Sequence, residues 1–161
     1  MGSGKTTHGR KLAGVLGYSF MDMDTGIEKE QGMTINEIFE KKGEDFFRLL
    51  EQDLLLKIFR LDNLVVSTGG GVPCFGDNLE MINKNGISIY LKLTPEMLTS
   101  RLRFSGKTRP LVKDLPDDEL LNFVYHQLEE REVWYMKATI ICNAMNLDIN
   151  ELADRIRLIL Q

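Results

Sequence analysis

The 161-residue sequence contains little cysteine and no long apolar run. Its two cysteines, Cys74 and Cys142, provide neither a disulfide framework nor the spacing of a metal site, which fits a reducing compartment. No apolar stretch approaches the roughly 20 residues that a membrane-spanning helix needs. We therefore expect a cytoplasmic protein that does not enter a membrane.

The sequence also lacks an excess of positive charge. It has 20 Lys and Arg against 24 Asp and Glu, for a formal net charge of −4. This balance gives no global positive field that would attract nucleic acid or an anionic membrane surface. Any anionic ligand must therefore be bound by individually placed residues, and we expect no nucleic-acid partner.

The length and the composition are those of one compact globular domain. A chain of 161 residues can bury a core of its own, and 43% apolar with 27% charged residues is close to the globular average. We expect a single domain over residues 1–161.

A glycine loop that leads into a helix stands at the N-terminus. Residues 9–16 have the apolar spacing of a helix, and the loop before them consists of Gly2, Ser3, Gly4, Lys5, Thr6 and Thr7. The backbone N–H groups of such a loop surround phosphate oxygens, and the helix N-terminus adds partial positive charge. Lys5 would reach the β- and γ-phosphates, and the Thr6 hydroxyl would bind Mg²⁺. The motif predicts a site for a nucleoside triphosphate with Mg²⁺.

The full phosphate-loop pattern also contains a glycine five residues before Gly4, and a strand precedes it. Neither is present ahead of Met1. Because that strand is central and buried on both faces in folds of this type, we expect the natural protein to begin roughly ten residues earlier, with an apolar first strand.

Apolar patterning predicts strands that alternate with helices. The predicted strands are residues 18–22, 64–68, 87–93 and 139–142. The predicted helices are residues 34–40 and 44–60, separated by Gly43, and residues 77–83, 95–103, 117–137 and 150–160, with a loop over 105–115. This alternation indicates an α/β fold with a parallel sheet flanked by helices.

Five further segments share the order and spacing of one enzyme family. They are Asp22-Met23-Asp24, Phe47-Arg48-Leu49-Leu50-Glu51, Ser67-Thr68-Gly69-Gly70-Gly71, Thr108-Arg109-Pro110-Leu111, and Arg131 four residues before Tyr135. With the phosphate loop, the chain resembles the shikimate kinases, phosphate-loop NTPases of the nucleoside-monophosphate-kinase-like group. The resemblance implies transfer of the γ-phosphoryl group of ATP to the 3-hydroxyl of shikimate with Mg²⁺, in aromatic amino-acid biosynthesis. It also implies a monomer.

Asp22 and Asp24 lie two residues apart at a predicted strand end. If the strand geometry persists, both carboxylates point the same way, toward the crevice beyond the strand ends. The resemblance implies that Asp22 sits near the metal through water. It implies that Asp24 binds the substrate hydroxyls and acts as the general base.

Two arginines are implied to hold the substrate carboxylate. Arg48 and Glu51 are spaced i, i+3, which lets the carboxylate hold the guanidinium in position on one helix face. The resemblance assigns the clamp to Arg48 and Arg131, and a planar guanidinium meets a carboxylate with two parallel hydrogen bonds. Close to them, the backbone of Gly69, Gly70 and Gly71 would approach the cyclohexene ring and its hydroxyls.

Two further arginines are implied to act on the nucleotide. Arg109 would swing over the phosphates as a lid loop over about 104–115 closes, and it would stabilise the transferring phosphoryl group. Arg103 resembles the residue that stacks on adenine. The implied substrate-binding subdomain spans about 23–60.

Two other functions compete with this interpretation. A gluconate kinase would share the phosphate loop, but the Asp-x-Asp, Phe-Arg-x-x-Glu and Gly-Gly-Gly segments argue against it. A nucleotide-binding module without turnover would need neither a general base at Asp24 nor a lid arginine at Arg109.

Overall fold

The structure, a computed structural model, describes residues 2–104 and 115–161. Its strands are β1 (Ser19–Asp22), β2 (Leu64–Ser67), β3 (Ile89–Lys92) and β4 (Ile140–Asn143). Its helices are α1 (Lys5–Leu16), α2 (Met23–Gln31), α3 (Ile35–Ile58), α4 (Asn78–Asn85), α5 (Pro95–Phe104), α6 (Asp117–Tyr135) and α7 (Ile149–Ile159), with a 3₁₀ turn at Val72–Cys74. The predicted alternation of strands and helices is confirmed.

The strands form parallel pairs, as expected. β1 pairs with β2, with Asp22 opposite Ser67, and β3 pairs with β4, with Lys92 opposite Asn143. The strands that the structure describes form two two-stranded pairs.

The chain divides into two compact units. The first unit comprises Met1–Gly4 and Ile87–Leu147, and the second comprises Lys5–Gly86 and Asp148–Gln161. The core of the first unit lies where α5 and α6 pack together and consists of Leu93, Leu98, Leu102, Leu120, Val124 and Ala144. The core of the second unit consists of Met23, Ile27, Ile38, Phe47, Leu54, Leu55, Ile58 and Val72.

Helix α2 was not expected from the sequence. It buries only Met23 and Ile27, which are four residues apart, so the segment has too few apolar residues to show a helical period. The Asp22 side chain caps its N-terminus by accepting from the Thr25 N–H, and Gly32 ends it in the left-handed conformation. Whether these nine residues form a helix is thus decided by the tertiary packing of two side chains.

The predicted break at Gly43 is confirmed. Helix α3 begins with a capping box in which Thr34 and Glu37 bond each other's backbone N–H. Gly43 interrupts the helical geometry with φ 83° and ψ 173°. Because this φ is costly for any residue with a Cβ, the glycine marks where the second helical segment starts, at Glu44.

No helix in residues 2–104 or 115–161 combines the length and apolarity needed to span a bilayer.

Candidate active site

The glycine loop enters α1 as predicted. Gly2 and Gly4 both adopt positive φ, and α1 begins directly after them at Lys5. Gly2 packs tightly on α5, since a Cβ there would lie 3.3 Å from the Leu98 carbonyl oxygen. The buried Ser3 accepts a hydrogen bond through its carbonyl from Nη1 of Arg101, at 3.3 Å. The division into units falls between Gly4 and Lys5.

The two residues expected to hold the metal meet in the second unit. Thr6 donates from its hydroxyl to Oδ2 of Asp22, at 2.8 Å. Oδ1 of Asp22 accepts from the Thr25 N–H at the start of α2, at 3.4 Å. Asp22 therefore serves both as the helix cap and as the carboxylate next to the first turn of α1.

These two residues fit Mg²⁺, which takes hard oxygen ligands and usually keeps several waters and substrate phosphates. Within the residues that the structure describes, no cluster of three or more His, Cys, Asp or Glu could hold a metal ion by itself. A magnesium ion that keeps water and phosphate ligands needs few ligands from the protein, and the Thr6 hydroxyl and the Asp22 carboxylate meet that need.

The condition for a common orientation of Asp22 and Asp24, a strand that continues through Asp24, is not met. The strand ends at Asp22, and Met23 begins α2, so Asp24 lies in the first helical turn. The common orientation of Asp22 and Asp24 required the strand to continue, and helix capping by Asp22 ends it. Asp24 nevertheless lies beside the triple glycine, because a Cβ on Gly69 would come 3.3 Å from its Oδ1.

The side chain of Glu51, in α3, also approaches Gly69. Its side chain is 2% exposed, and its Oε1 would lie 2.9 Å from a Cβ on Gly69. Burial raises the pKa of Glu51, the charge of Asp24 raises it further, and the hydrogen bond from Arg48 opposes both. A residue larger than glycine at position 69 would crowd the carboxylates of Glu51 and Asp24, so Gly69 leaves the space that both occupy.

The Arg48 side chain is surrounded by acidic groups and an aromatic ring. It donates from Nη1 to Glu51 Oε2 at 2.6 Å, and from Nε and Nη2 to Glu44 Oε1 at 3.2 and 2.8 Å. Its Cζ lies over the Phe75 ring, 4.0 Å from the centroid. Burial would lower the pKa of Arg48, but the hydrogen bonds that it donates to Glu51 and Glu44 outweigh this and raise that pKa. The guanidinium is charged and held in one orientation.

Gly71 allows this guanidinium its position. A Cβ on Gly71 would lie 2.6 Å from Nη1 of Arg48 and 3.0 Å from its Cζ and Nη2. The backbone of Gly71 has φ −79° and ψ −26°, which any residue can adopt. Space for Arg48, and not backbone conformation, therefore requires glycine here.

The 3₁₀ turn that follows the three glycines holds their backbone in place. The carbonyls of Gly69 and Gly71 accept from the N–H groups of Val72 and Cys74, at 3.3 and 2.9 Å. The buried Asn78 donates from its side chain to the Val72 carbonyl, at 2.9 Å. Sequence reasoning missed Phe75, Glu44 and Asn78, since none belongs to a phosphate or substrate motif. Glu44, four residues before Arg48, is the one that helical spacing could have found.

The remaining site residues belong to the first unit or lie outside the described residues. Arg103 is exposed in the last turn of α5. Arg131 is half-buried on α6 and lines a small hollow within the first unit, together with Leu98, Leu102, Val124, Gln127, Leu128 and Tyr135. Arg109 and nearly all of the expected lid, about 104–115, lie outside the described residues.

The chain is similar to the shikimate kinases. The family model described as shikimate kinase matches residues 1–161. The shikimate kinase of Bacteroides thetaiotaomicron is 41% identical over 148 residues, which cover 92% of this chain and 85% of that protein. The shikimate kinase of Parabacteroides distasonis is 38% identical over 164 residues, covering 99% and 95%.

Solved structures agree with the sequence relatives. The crystal structure of shikimate kinase from Bacteroides thetaiotaomicron superposes with a TM-score of 0.91 at 39% identity, covering 99% of this chain and 93% of that one. A shikimate kinase from Acinetobacter baumannii, solved in complex with shikimate, superposes with a TM-score of 0.82 at 36% identity, covering 99% and 88%.

Proposed function

Because this chain belongs to the shikimate kinase family, its reaction is phosphoryl transfer from ATP to shikimate, and we propose how its residues divide that reaction. The γ-phosphoryl group passes to the 3-hydroxyl of shikimate, giving shikimate 3-phosphate and ADP. One observation carries the assignment of the substrate site. Asp24, Glu51 and Arg48 converge on Gly69 and Gly71 in the second unit, so a carboxylate that suits hydroxyls stands near a guanidinium that suits a carboxylate.

Substrate binding is assigned to the arginine clamps and the glycines. Arg48 holds the carboxylate of shikimate, supported by its fixed orientation against Glu51 and Phe75. The backbone of Gly69, Gly70 and Gly71 is assigned to the ring of shikimate; a side chain at Gly69 would collide with Glu51, and one at Gly71 with Arg48. Arg131 is the second carboxylate clamp. Its assignment rests on the family resemblance.

Catalysis consists mainly of positioning and charge stabilisation. The Asp24 carboxylate accepts the proton of the 3-hydroxyl as that oxygen bonds to the γ-phosphorus and the bond to the ADP oxygen breaks. Lys5 and Arg109 stabilise the charge on the transferring group. The backbone N–H groups of residues 2–7 hold the phosphates of ATP, and Arg103 stacks on its adenine.

Mg²⁺ binding is assigned to Thr6 and to Asp22, the latter through water. Their mutual hydrogen bond of 2.8 Å supports the pairing of these two oxygen donors. When bound, the ion neutralises phosphate charge. Asp22 also keeps the first turn of α2 in place, and with it Asp24.

We propose that residues 1–161 form one kinase domain, active as a monomer in the cytoplasm. Its substrate-binding subdomain spans about 23–60 and its lid loop about 104–115.

A coupled assay of ADP release tests the function. The protein should turn over ATP with shikimate and much more slowly with gluconate or a nucleoside monophosphate. Arg48→Lys keeps the charge but loses the planar fork, so the KM for shikimate should rise strongly while the KM for ATP changes little. Arg60→Lys, at an exposed position after the same helix, is the matched control. Equal turnover of gluconate, or equal effects of the two variants, would contradict the proposal.

A second variant separates the phosphate side from the substrate side. Arg109→Ala should lower kcat by up to about 10³-fold if the side chain acts as an arginine finger. A rise confined to the KM for shikimate would instead place Arg109 with the carboxylate clamps.

A further inference from the structure

The guanidinium of Arg48 can be reached by a ligand from few directions. The Phe75 ring lies against it at 4.0 Å, and the Gly71 backbone is so close that a Cβ would come 2.6 Å from Nη1. Glu51, which takes Nη1, is 2% exposed. Glu44, which takes Nε and Nη2, is 55% exposed. The edge bonded to Glu44 is therefore the one that faces solvent.

That edge is the one a carboxylate ligand prefers. Nε and Nη2 present two parallel N–H groups, the fork that arginine uses to bind carboxylates. In this structure one oxygen of Glu44 accepts from both nitrogens, at 3.2 and 2.8 Å. A side-chain carboxylate of the chain itself thus occupies the position that suits a bound acid.

Glu44 can leave this position far more easily than Glu51. The Glu44 side chain is 55% exposed, so water solvates its carboxylate once it leaves Arg48. Withdrawing Glu51, which is 2% exposed, would instead leave a buried charge unpaired. Glu44 also directly follows Gly43, where φ 83° interrupts the helix. It therefore begins a helical segment, and the helix dipole at that end stabilises its negative charge after it leaves Arg48.

We propose that Glu44 is an internal competitor of the substrate: its carboxylate occupies the Nε–Nη2 edge of Arg48 and must be displaced by the carboxylate of shikimate. Glu44 then lowers the affinity for the acid and keeps Arg48 paired when no substrate is bound. This inference rests on the proposed role of Arg48 as the carboxylate clamp.

Calorimetric titration of two ligands, shikimate and its uncharged carboxamide, tests the competition. Glu44→Gln and Glu44→Ala should each bind shikimate roughly two- to five-fold more tightly than wild type, the factor expected from a weak surface pair. The affinity for the carboxamide should not rise, because that ligand does not need the freed edge. The gain for shikimate should shrink at high salt.

Asp53→Asn is the matched control. It removes one exposed carboxylate from the same helix, at a residue that pairs with Lys57 in the same i, i+4 spacing. Since the net charge changes equally, a tighter binding shared by Asp53→Asn would reflect general repulsion of the anion and would overturn the inference.

The remaining outcomes separate the inference from its premise. If wild type discriminates between the two ligands but the Glu44 variants bind shikimate equally or more weakly, Glu44 supports or ignores Arg48, and the competitor role is wrong. If wild type binds the acid and the carboxamide equally, the carboxylate is not held by Arg48, and the proposed clamp fails together with the inference.

Discussion

Substituting Gly71 by alanine should damage shikimate binding by displacing Arg48. The new Cβ would stand 2.6 Å from Nη1, whereas ordinary contact begins at 3.4 Å, so the guanidinium must retreat by about 0.8 Å. Nη1 is bonded to the buried Glu51 at 2.6 Å, so it cannot retreat without disturbing that bond. The backbone of Gly71 (φ −79°, ψ −26°) accepts alanine without strain, which leaves the collision as the sole cost.

A misplacement of about 1 Å can cost up to about 10² in rate. For Gly71→Ala we expect kcat/KM for shikimate to fall by about 10- to 100-fold, with the KM for ATP nearly unchanged. Steady-state ADP release with each substrate varied in turn measures both parameters. Gly14→Ala, in α1 with nothing within 4 Å of the added Cβ, is the control. It should keep full activity and gain about 0.5–1 kcal/mol of stability. An unchanged KM for shikimate, or equal losses for both substrates, would refute the steric argument.

Three further predictions concern the carboxylates and the metal. Asp24→Asn keeps the shape but not the basicity, so kcat should fall by about 10² to 10⁴ with ATP affinity retained; near-normal turnover would exclude Asp24 as the base. Thr6→Val loses the hydroxyl bonded to Asp22, so half-maximal activity should need more Mg²⁺, whereas Thr6→Ser should need little more. Burial raises the pKa of Glu51 in the folded protein, so this carboxyl binds its proton more readily folded than unfolded. Its contribution is therefore lost as pH rises through that raised pKa, and wild type should gain stability relative to Glu51→Gln as pH falls from neutral to mildly acidic. Urea unfolding of both proteins across that range measures the difference, and a constant difference would contradict the raised pKa.

Local chemistry made much of the fold predictable. The phosphate loop consists of consecutive residues, and glycines followed by a helical pattern are enough to predict that it leads into α1. The strand and helix order follows from apolar periodicity, and the interruption of α3 follows from one glycine, Gly43. These features depend on neighbours within a few residues, which is why the pattern alone suffices.

Helix α2 is a feature that local sequence patterns do not predict. Its helical state depends on burying Met23 and Ile27 in a core that includes residues of α3, and on Asp22 acting as cap. The same cap ended the strand and turned Asp24 into the first helical turn. A strand end and a helix cap are both compatible with the sequence Asp-Met-Asp, and packing decided between them.

By itself the sequence determined the family, the nucleotide motif, the parallel α/β order and the identity of Arg48 as a candidate clamp. Only the tertiary structure decided which residues from outside its own helix surround that arginine. Phe75 and Gly71 reach it from the turn after β2. Residues more than 20 positions apart meet only when strand pairing and helix packing bring their elements together, and no local pattern records which side chains then face each other.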